Sequence, residues 1–476
     1  MFQDDERPVL YLLTSHWVTI AGALLVTVAG CSWILALPSH IRGQAADPYI
    51  GILLFILLPI VFALGLVLMP IGMWLSRRSL RLGQQALSRK TSLRRLAVFL
   101  VGATILNVVI MSQFTYNAIT HMEGTQFCGQ TCHVMKPEFT AHRISPHAAV
   151  LCVQCHVTPG AQGWLESKMA GTRQLKEVLF NTFPRPIHSA IEANRLVASS
   201  ETCEKCHWPQ KSGGAKLRVI SEYADDEANT LAQTVMMMPV GGDGTGGIHG
   251  AHLGRGISIR YGSTDSTRQT LPWIQYRNSS RNEVREYVAA DMGHGDAAKL
   301  QYYDMQCVDC HNRPAHTFQL PERAVNQAMA LGQIPATLPF IKRTSVEVLR
   351  SEYKTSEEAA QKIPLAIQDY YRRSHSDIYQ SRSADIEQAA KALLNLYNEN
   401  VFPELKVGWG TYANNLGHTD FPGCFRCHDE AHISWDQKAI TQNCNTCHEL
   451  IAVSEVSPGI LSTLGLQDRI ANLQTR

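Results

Sequence analysis

The chain has 476 residues, a formal charge of +2 and a hydrophobic share of 45%. That balance describes a membrane part joined to a soluble part, and it gives no ground for a nucleic-acid partner. The apolar residues concentrate at the N-terminus. Residues 17–37, 50–75 and 96–112 carry no formal charge. The first two are long enough for a bilayer crossing, which takes about 20 residues; the third is shorter and equally uncharged. Three transmembrane helices are therefore expected, forming a membrane anchor over residues 1–112. The first run lacks a small-residue cleavage site and a second span follows it, so it reads as a span and not as a signal peptide.

Orientation follows from the loops. Arg77, Arg78, Arg81, Arg89, Lys90, Arg94 and Arg95 lie between the second and third runs with no acidic residue among them, whereas residues 38–49 hold only Arg42 as a basic residue. The positive-inside rule places the basic loop and the N-terminus in the cytoplasm and the long C-terminal part outside a bacterial inner membrane, in the periplasm.

Beyond the anchor, six cysteine pairs each end in Cys-His. Five have the form C-x-x-C-H: Cys152 and Cys155 with His156, Cys203 and Cys206 with His207, Cys307 and Cys310 with His311, Cys424 and Cys427 with His428, and Cys444 and Cys447 with His448. The first, Cys128 and Cys132 with His133, has one extra residue between its thiols. This is the attachment pattern of c-type haem: two thiols reach the vinyl groups of one porphyrin, and the adjacent His offers a ring nitrogen to iron. A zinc ribbon or a disulfide framework has no need of His after the second Cys. His is only 19 of 476 residues, too rare to follow all six pairs by accident. Twelve of the 13 cysteines belong to the motifs and the last, Cys31, lies in an apolar run, so no thiols remain for structural disulfides. About six covalent haems are expected, one per motif.

The expected architecture is mainly α, with three N-terminal transmembrane helices followed by a multihaem periplasmic region carrying a small β-rich insertion. Residues 113–210 hold three motifs so closely spaced that porphyrins must supply much of the buried surface. Between them, Trp164–Phe180 reads as one amphipathic helix. Over residues 211–300 the runs KLRVI, ISIRY and LPWIQYR read as strands. Gly242, Gly244 and Gly247 fit G-x-G-x-x-G there, but no strand–helix unit surrounds them; a loop is the better reading, and no NAD is expected. Residues 301–320 carry the fourth motif. Residues 321–402 have helical periodicity and no motif, with a capping box at Thr355 and Glu358 and an amphipathic run at Ala384–Tyr397; they read as a spacer packed on the haem modules. Residues 403–476 carry the last two motifs.

An iron that only carries electrons needs a second axial ligand, and an open position would bind substrate. His316, too close to His311 to reach back to the same iron, is expected to serve a neighbouring haem. His418 and His432 flank the fifth motif and are expected to supply the last two haems. His147 is a candidate just before the second motif, and one of His249 and His252 is expected to serve the fourth haem. Met135, two residues after His133, is a candidate for the first iron, where Met would raise the potential. His142, His188, His294 and His375 read as surface residues, and His16 and His40 as membrane-edge residues. The tally is about one second ligand per iron, which favours a wire over a terminal catalyst.

The succession of an anchor, F-C-x-x-x-C-H-x-M, S-P-H, C-V-Q-C-H-V and a Lys about a dozen residues on resembles the NapC/NirT family of quinol dehydrogenases. That resemblance covers roughly residues 96–210 and the fourth motif with His316. ETCEKCHWP, ADDEANT, CVDCHNRPAHTFQLPERAV and GCFRCHDEAH resemble a longer subgroup, which includes inner-membrane cytochromes proposed to feed electrons toward extracellular metal reduction. The resemblance implies oxidation of menaquinol or ubiquinol and delivery of single electrons to a periplasmic cytochrome or terminal reductase. It also implies that Met135 ligates the first haem, nearest the bilayer, that His147 and His316 are axial ligands, and that Lys168 lies in the quinol pocket. The three-residue gap in the first motif departs from the four-haem members, whose single span has become three. Gln174 or Arg173 stands where an acidic residue often follows the pocket Lys. Lys168 is the leading candidate to orient or deprotonate the quinol hydroxyl, within hydrogen-bond reach, and Glu138, Glu166, His121 and His142 are lesser ones. The alternative readings are a periplasmic reductase of a small nitrogen or sulfur oxyanion at an open haem, a relay subunit of a larger complex, and a cytochrome running in reverse to reduce quinone.

Overall fold

The computed structural model describes residues 16–41, 57–82, 89–131, 133–193, 196–207, 213–241, 246–293 and 299–466. It divides into two compact units, Met1–Glu123 and Gly124–Arg476.

The first unit contains α1 (Trp17–Ile41), α2 (Leu58–Arg81) and α3 (Arg89–Glu123). Within α2 and α3, Leu58–Ser79 and Leu93–Glu123 are long and apolar enough to cross a membrane, while Trp17–Ser32 of α1 is a shorter apolar stretch. The three expected spans thus correspond to two strongly apolar helices and one shorter one among the described residues. The α1 and α2 backbones come close at a glycine pair: a Cβ on Gly22 would meet the Gly65 carbonyl at 2.7 Å, and one on Gly65 would meet the Gly22 carbonyl at 2.8 Å. Small residues permit such approaches between apolar helices. Helix α3 runs past the boundary expected at residue 112, because residues 113–123 turn polar but contain neither Gly nor Pro to stop the helix. Hydropathy marks where the apolar run ends, not where the helix does.

The second unit opens with the first motif, then α4 (Lys136–Arg143), whose second residue, Pro137, lies in the first turn where no helical N–H is needed, and α5 (Ala161–Leu179). Strands β1 (Ala215–Tyr223) and β2 (Leu231–Pro239) pair as a hairpin, followed by the short helix α6 (Gly247–Leu253). Then come β3 (Ile257–Ser263), β4 (Trp273–Asn278), β5 (Glu283–Ala289) and β6 (Gln301–Asp304). KLRVI, ISIRY and LPWIQYR fall on β1, β3 and β4 as expected. The β region is not closed on itself, however. β7 (His432–Ser434) and β8 (Glu449–Glu455), from the C-terminal segment, complete two antiparallel sheets ordered β1-β2-β8 and β6-β3-β4-β5-β7. Of the glycine trio, Gly247 begins α6, while Gly242 and Gly244 lie outside the described residues.

Helices α7 (Pro321–Ala330), α8 (Ile341–Arg350), α9 (Ser356–Ser374) and α10 (Ser383–Asn400) enclose the main hydrophobic core. Ile334, Leu338, Leu349, Ile363, Ile367, Ile386 and Leu393 are fully buried in it. Thr355 caps α9 as expected, accepting from Glu358 N–H at 3.1 Å, while the Glu358 carboxylate accepts from Lys354 N–H at 2.6 Å. The run at Ala384–Tyr397 lies within α10, with Leu393 and Tyr397 on its buried side.

Candidate functional site

The motif histidines meet partners from remote parts of the chain. His156 faces His316 with ring centres 6.1 Å apart, His207 faces His147 at 5.9 Å, and His311 faces His249 at 6.2 Å. His428 faces His252 at 5.9 Å, and His448 faces His418 at 6.2 Å. Two imidazoles on opposite sides of one metal ion, each bonded at about 2 Å, have ring centres about 6 Å apart. The five pairs therefore fit an iron between each pair, as a c-type haem attached at the adjacent cysteines requires.

The other ring nitrogen is often already committed. Nδ1 of His316 donates to the Glu138 carbonyl at 3.0 Å, and that of His147 to the Pro314 carbonyl at 3.2 Å. His252 Nδ1 donates to the Ile248 carbonyl at 2.7 Å, and His428 Nδ1 to the Thr441 carbonyl at 2.9 Å. Each bond selects the tautomer that leaves Nε2 with its lone pair for a metal. Crowding by neighbouring groups strips water from these rings: it holds His316 low, to about 4, and lowers His156, His252 and His311 as well, although His156 and His311 keep part of their surface exposed, and this favours the neutral form that ligates.

The cysteine pairs stand in chain order. Cys128 hydrogen-bonds and lowers the Cys152 thiol, and Cys307 does the same to Cys203. Burial raises the Cys155 thiol, with Cys203 adding to it. Cys310 is raised by burial to about 11, against the pull of Arg426 and with the help of nearby Cys424. Burial also raises Cys447, again beside Cys424. Each motif thus neighbours the next, from first to sixth. The described cysteines are free thiols, as attachment to porphyrin requires.

Several expectations change. His249 and His252 both face motif histidines: three apart on α6, they share one side of it yet reach the fourth and fifth motifs. His147 faces the third motif, although it precedes the second in sequence. His432, expected as a ligand, uses both ring nitrogens in hydrogen bonds, Nδ1 to Asp429 at 2.9 Å and Nε2 to the Leu271 carbonyl at 2.8 Å. It is buried where β7 joins the sheet, with both ring nitrogens already engaged by protein groups. His142, expected at the surface, is buried, and its Nε2 donates to the Val150 carbonyl at 3.0 Å. His188 is exposed beside Glu192, as expected, whereas His375 is half-buried among Phe340, Tyr370 and Tyr371. His16 is half-buried and accepts from Val18 N–H through Nδ1. His294, Cys132 and the side chains of His40 and His133 lie outside the described residues. Met135 is half-buried just before α4.

Lys168 is half-buried on α5, with its Nζ 5.5 Å from the centre of the Trp164 ring. Among the lesser candidates, Glu138 is buried against Arg313, whose Nη1 is 3.5 Å from its carboxylate. Burial raises the Glu138 carboxyl, and Arg313 acts in the opposite sense. Glu166 is exposed and accepts from Gln162, and His121 lies exposed on α3.

The sequence reading missed the residues that brace the fourth motif against the fifth. Arg426, inside C-F-R-C-H, donates through Nη2 to the Asp309 carbonyl at 2.7 Å, through Nη1 to the Arg268 carbonyl at 2.8 Å and through Nε to the Gly423 carbonyl at 2.9 Å. Asp309, inside C-V-D-C-H, accepts from Tyr261 at 2.5 Å and from Gln306 N–H at 2.7 Å, and pairs with Arg268 at 3.3 Å. Asn415 adds a bond to the Asp309 carbonyl at 3.0 Å. The available signal was a charged residue at a free position inside each motif.

Comparison with known proteins identifies the family. The model of the NapC/NirT cytochrome c family, N-terminal region, matches residues 89–235. The chain is 36% identical over 446 residues to the cytochrome c-type protein ImcH of Geobacter sulfurreducens, spanning 91% of this chain and 87% of that protein. It is 32% identical over 117 residues to the cytochrome c nitrite reductase subunit NrfH of Nitratidesulfovibrio vulgaris, which covers 24% of this chain and 69% of that subunit. No solved structure matches. With its paired histidines and repeated Cys-His motifs, the chain belongs to the NapC/NirT cytochrome c family and is a membrane-associated, multihaem electron-transfer protein.

Proposed function

We propose that the chain oxidises membrane quinol and passes single electrons along six c-type haems to a periplasmic acceptor, from an inner-membrane anchor whose N-terminus is cytoplasmic. Each haem, when bound, supplies one reversible one-electron step at its iron. The chain's own part is to hold and order these groups. Cys128 and Cys132, Cys152 and Cys155, Cys203 and Cys206, Cys307 and Cys310, Cys424 and Cys427, and Cys444 and Cys447 attach them. His156 with His316, His207 with His147, His311 with His249, His428 with His252, and His448 with His418 are assigned as axial pairs, and Met135 serves the first site.

The five facing histidine pairs carry this reading. They would hold a haem iron between two histidines at each of the second to sixth sites, which suits a relay better than the binding of an oxyanion. The quinol end rests on the family resemblance: Lys168 orients or takes the hydroxyl proton of quinol at the membrane surface.

The test is oxidation of menaquinol and ubiquinol analogues by the purified, haem-loaded chain. Lys168→Met is expected to lower the rate of haem reduction by quinol while leaving reduction by dithionite and the haem content intact. Haem reduction by quinol at the unchanged rate would remove Lys168 from the site, and no reduction by either quinol would overturn the donor assignment.

A further inference from the structure

Among the described residues of the second unit, helix α5 exposes an apolar side unlike that of the other helices. At about 3.6 residues per turn, positions 164, 165, 169, 175 and 179 fall on one broad side, and Phe180 continues it. Trp164, Leu165, Met169, Leu175, Leu179 and Phe180 are all exposed, Leu179 and Phe180 at 72% and 70%. Only Gly163 of α5 is buried. Helix α9 is an internal control: it has the same length, 19 residues, yet its one exposed large apolar side chain is Leu365. A soluble surface helix ordinarily resembles α9.

We infer that α5 is an interfacial helix, lying in the plane of the membrane with its apolar side in the headgroup–acyl boundary of anionic lipid. Three observations choose the bilayer as the occupant. The chain carries its own apolar helices long enough to cross a membrane, the last ending at Glu123, so lipid accompanies this chain. The stripe has the composition of interfacial helices, with Trp near one end, Phe at the other and Leu and Met between. Lys168, Arg173 and Lys176 stand on or beside it, and their long stems allow the charges to reach lipid phosphates while the methylenes stay in the apolar layer. The stripe runs about 24 Å at about 1.5 Å per residue.

Lipid contact along α5 does not depend on quinol being the substrate. If quinol is the donor, the same contact places Lys168 at the depth of its headgroup; that corollary alone rests on the proposed function.

The test uses the full, haem-loaded chain in nanodiscs containing phosphatidylglycerol. In a Cys31→Ser background, spin labels are placed singly at Leu165, Met169 and Leu179, with Leu365 as the solvent reference. Power saturation is measured with oxygen and with a water-soluble nickel chelate. The α5 labels are expected to be open to oxygen and shielded from nickel, with the reverse at position 365. Nickel accessibility at α5 equal to that at 365 would overturn the inference by showing a solvent-facing helix. Shielding from both reagents would overturn it too, since protein or porphyrin would then be the cover. Lys168→Met is measured in parallel: loss of quinol oxidation with the lipid pattern retained, or the converse, separates this inference from the quinol assignment.

Discussion

Helices α7–α10 and the segment from the second motif through α5 show two ways of stabilising a fold in one chain. In α8, seven of ten residues are buried, and the core holds nine-tenths or more of each large aliphatic side chain it uses, such as Ile363 and Leu393. In α5 only Gly163 is buried, and no residue of Cys152–His156 is. The first region closes on its own side chains. The second presents paired rings and free thiols with little apolar packing of its own. One region folds by burying its own side chains, and the other leaves that role to what it binds: porphyrin at the motif and, on the inference above, lipid along α5.

The largest expected effect tests that division directly. Chain produced without haem attachment should be cut readily by protease between about residues 133 and 207, where the polypeptide has little core, while a fragment spanning α7–α10 survives; mass spectrometry of the fragments decides it. Uniform resistance along the second unit would mean that the haem-motif segment packs without its cofactor. Within the helical region, Leu393→Ala should cost about 2–5 kcal/mol in thermal or denaturant unfolding, through lost burial and a residual cavity. The low-spin haem spectrum should stay unchanged.

The histidines sharpen the comparison further. His249→Ala and His252→Ala should each convert one low-spin iron to high spin, and the double variant two, read by electron paramagnetic resonance. If the double variant affects a single iron, α6 serves one site and not two. His432→Ala should change no spin state; it should cost roughly 1–3 kcal/mol of stability by leaving the Leu271 carbonyl without its partner, while Asp429 keeps the backbone N–H groups of Ala431 and residue 432. Arg426→Gln should have a comparable cost, from orphaning the Arg268 carbonyl and leaving the Asp309 carbonyl to Asn415 alone. It should also loosen the contact of the fourth motif with the fifth, seen as faster amide exchange over 306–312 and 423–428 against unchanged exchange in α7–α10.

Much of the site was legible because haem attachment is a local pattern. Two thiols and a histidine within a few residues identify the chemistry whatever the surrounding fold. The helices α5, α9 and α10 and the strands β1, β3 and β4 were legible for the same reason, since apolar spacing is set by the pitch of a helix or the pleat of a strand. β2 and β8 carry no strand expectation because LAQTVMMMP and ELIAVSE lack clean alternation, and β7 because three residues are too few to show one. The end of α3 was missed because hydropathy stops signalling before the backbone hydrogen bonds do.

The sequence by itself determined where porphyrin can be attached, which helices are apolar enough for a bilayer and which segment can build a core without help; each depends on neighbouring residues alone. Which histidine faces which was decided only in three dimensions. His316 could have served any adjacent motif, and His432 looked as eligible as His418. Folding brings His316 opposite His156 and His418 opposite His448, and spends both nitrogens of His432 on hydrogen bonds. A ligand's partner is set by distances across the fold and by which ring nitrogen remains unbonded, and neither is written in local spacing.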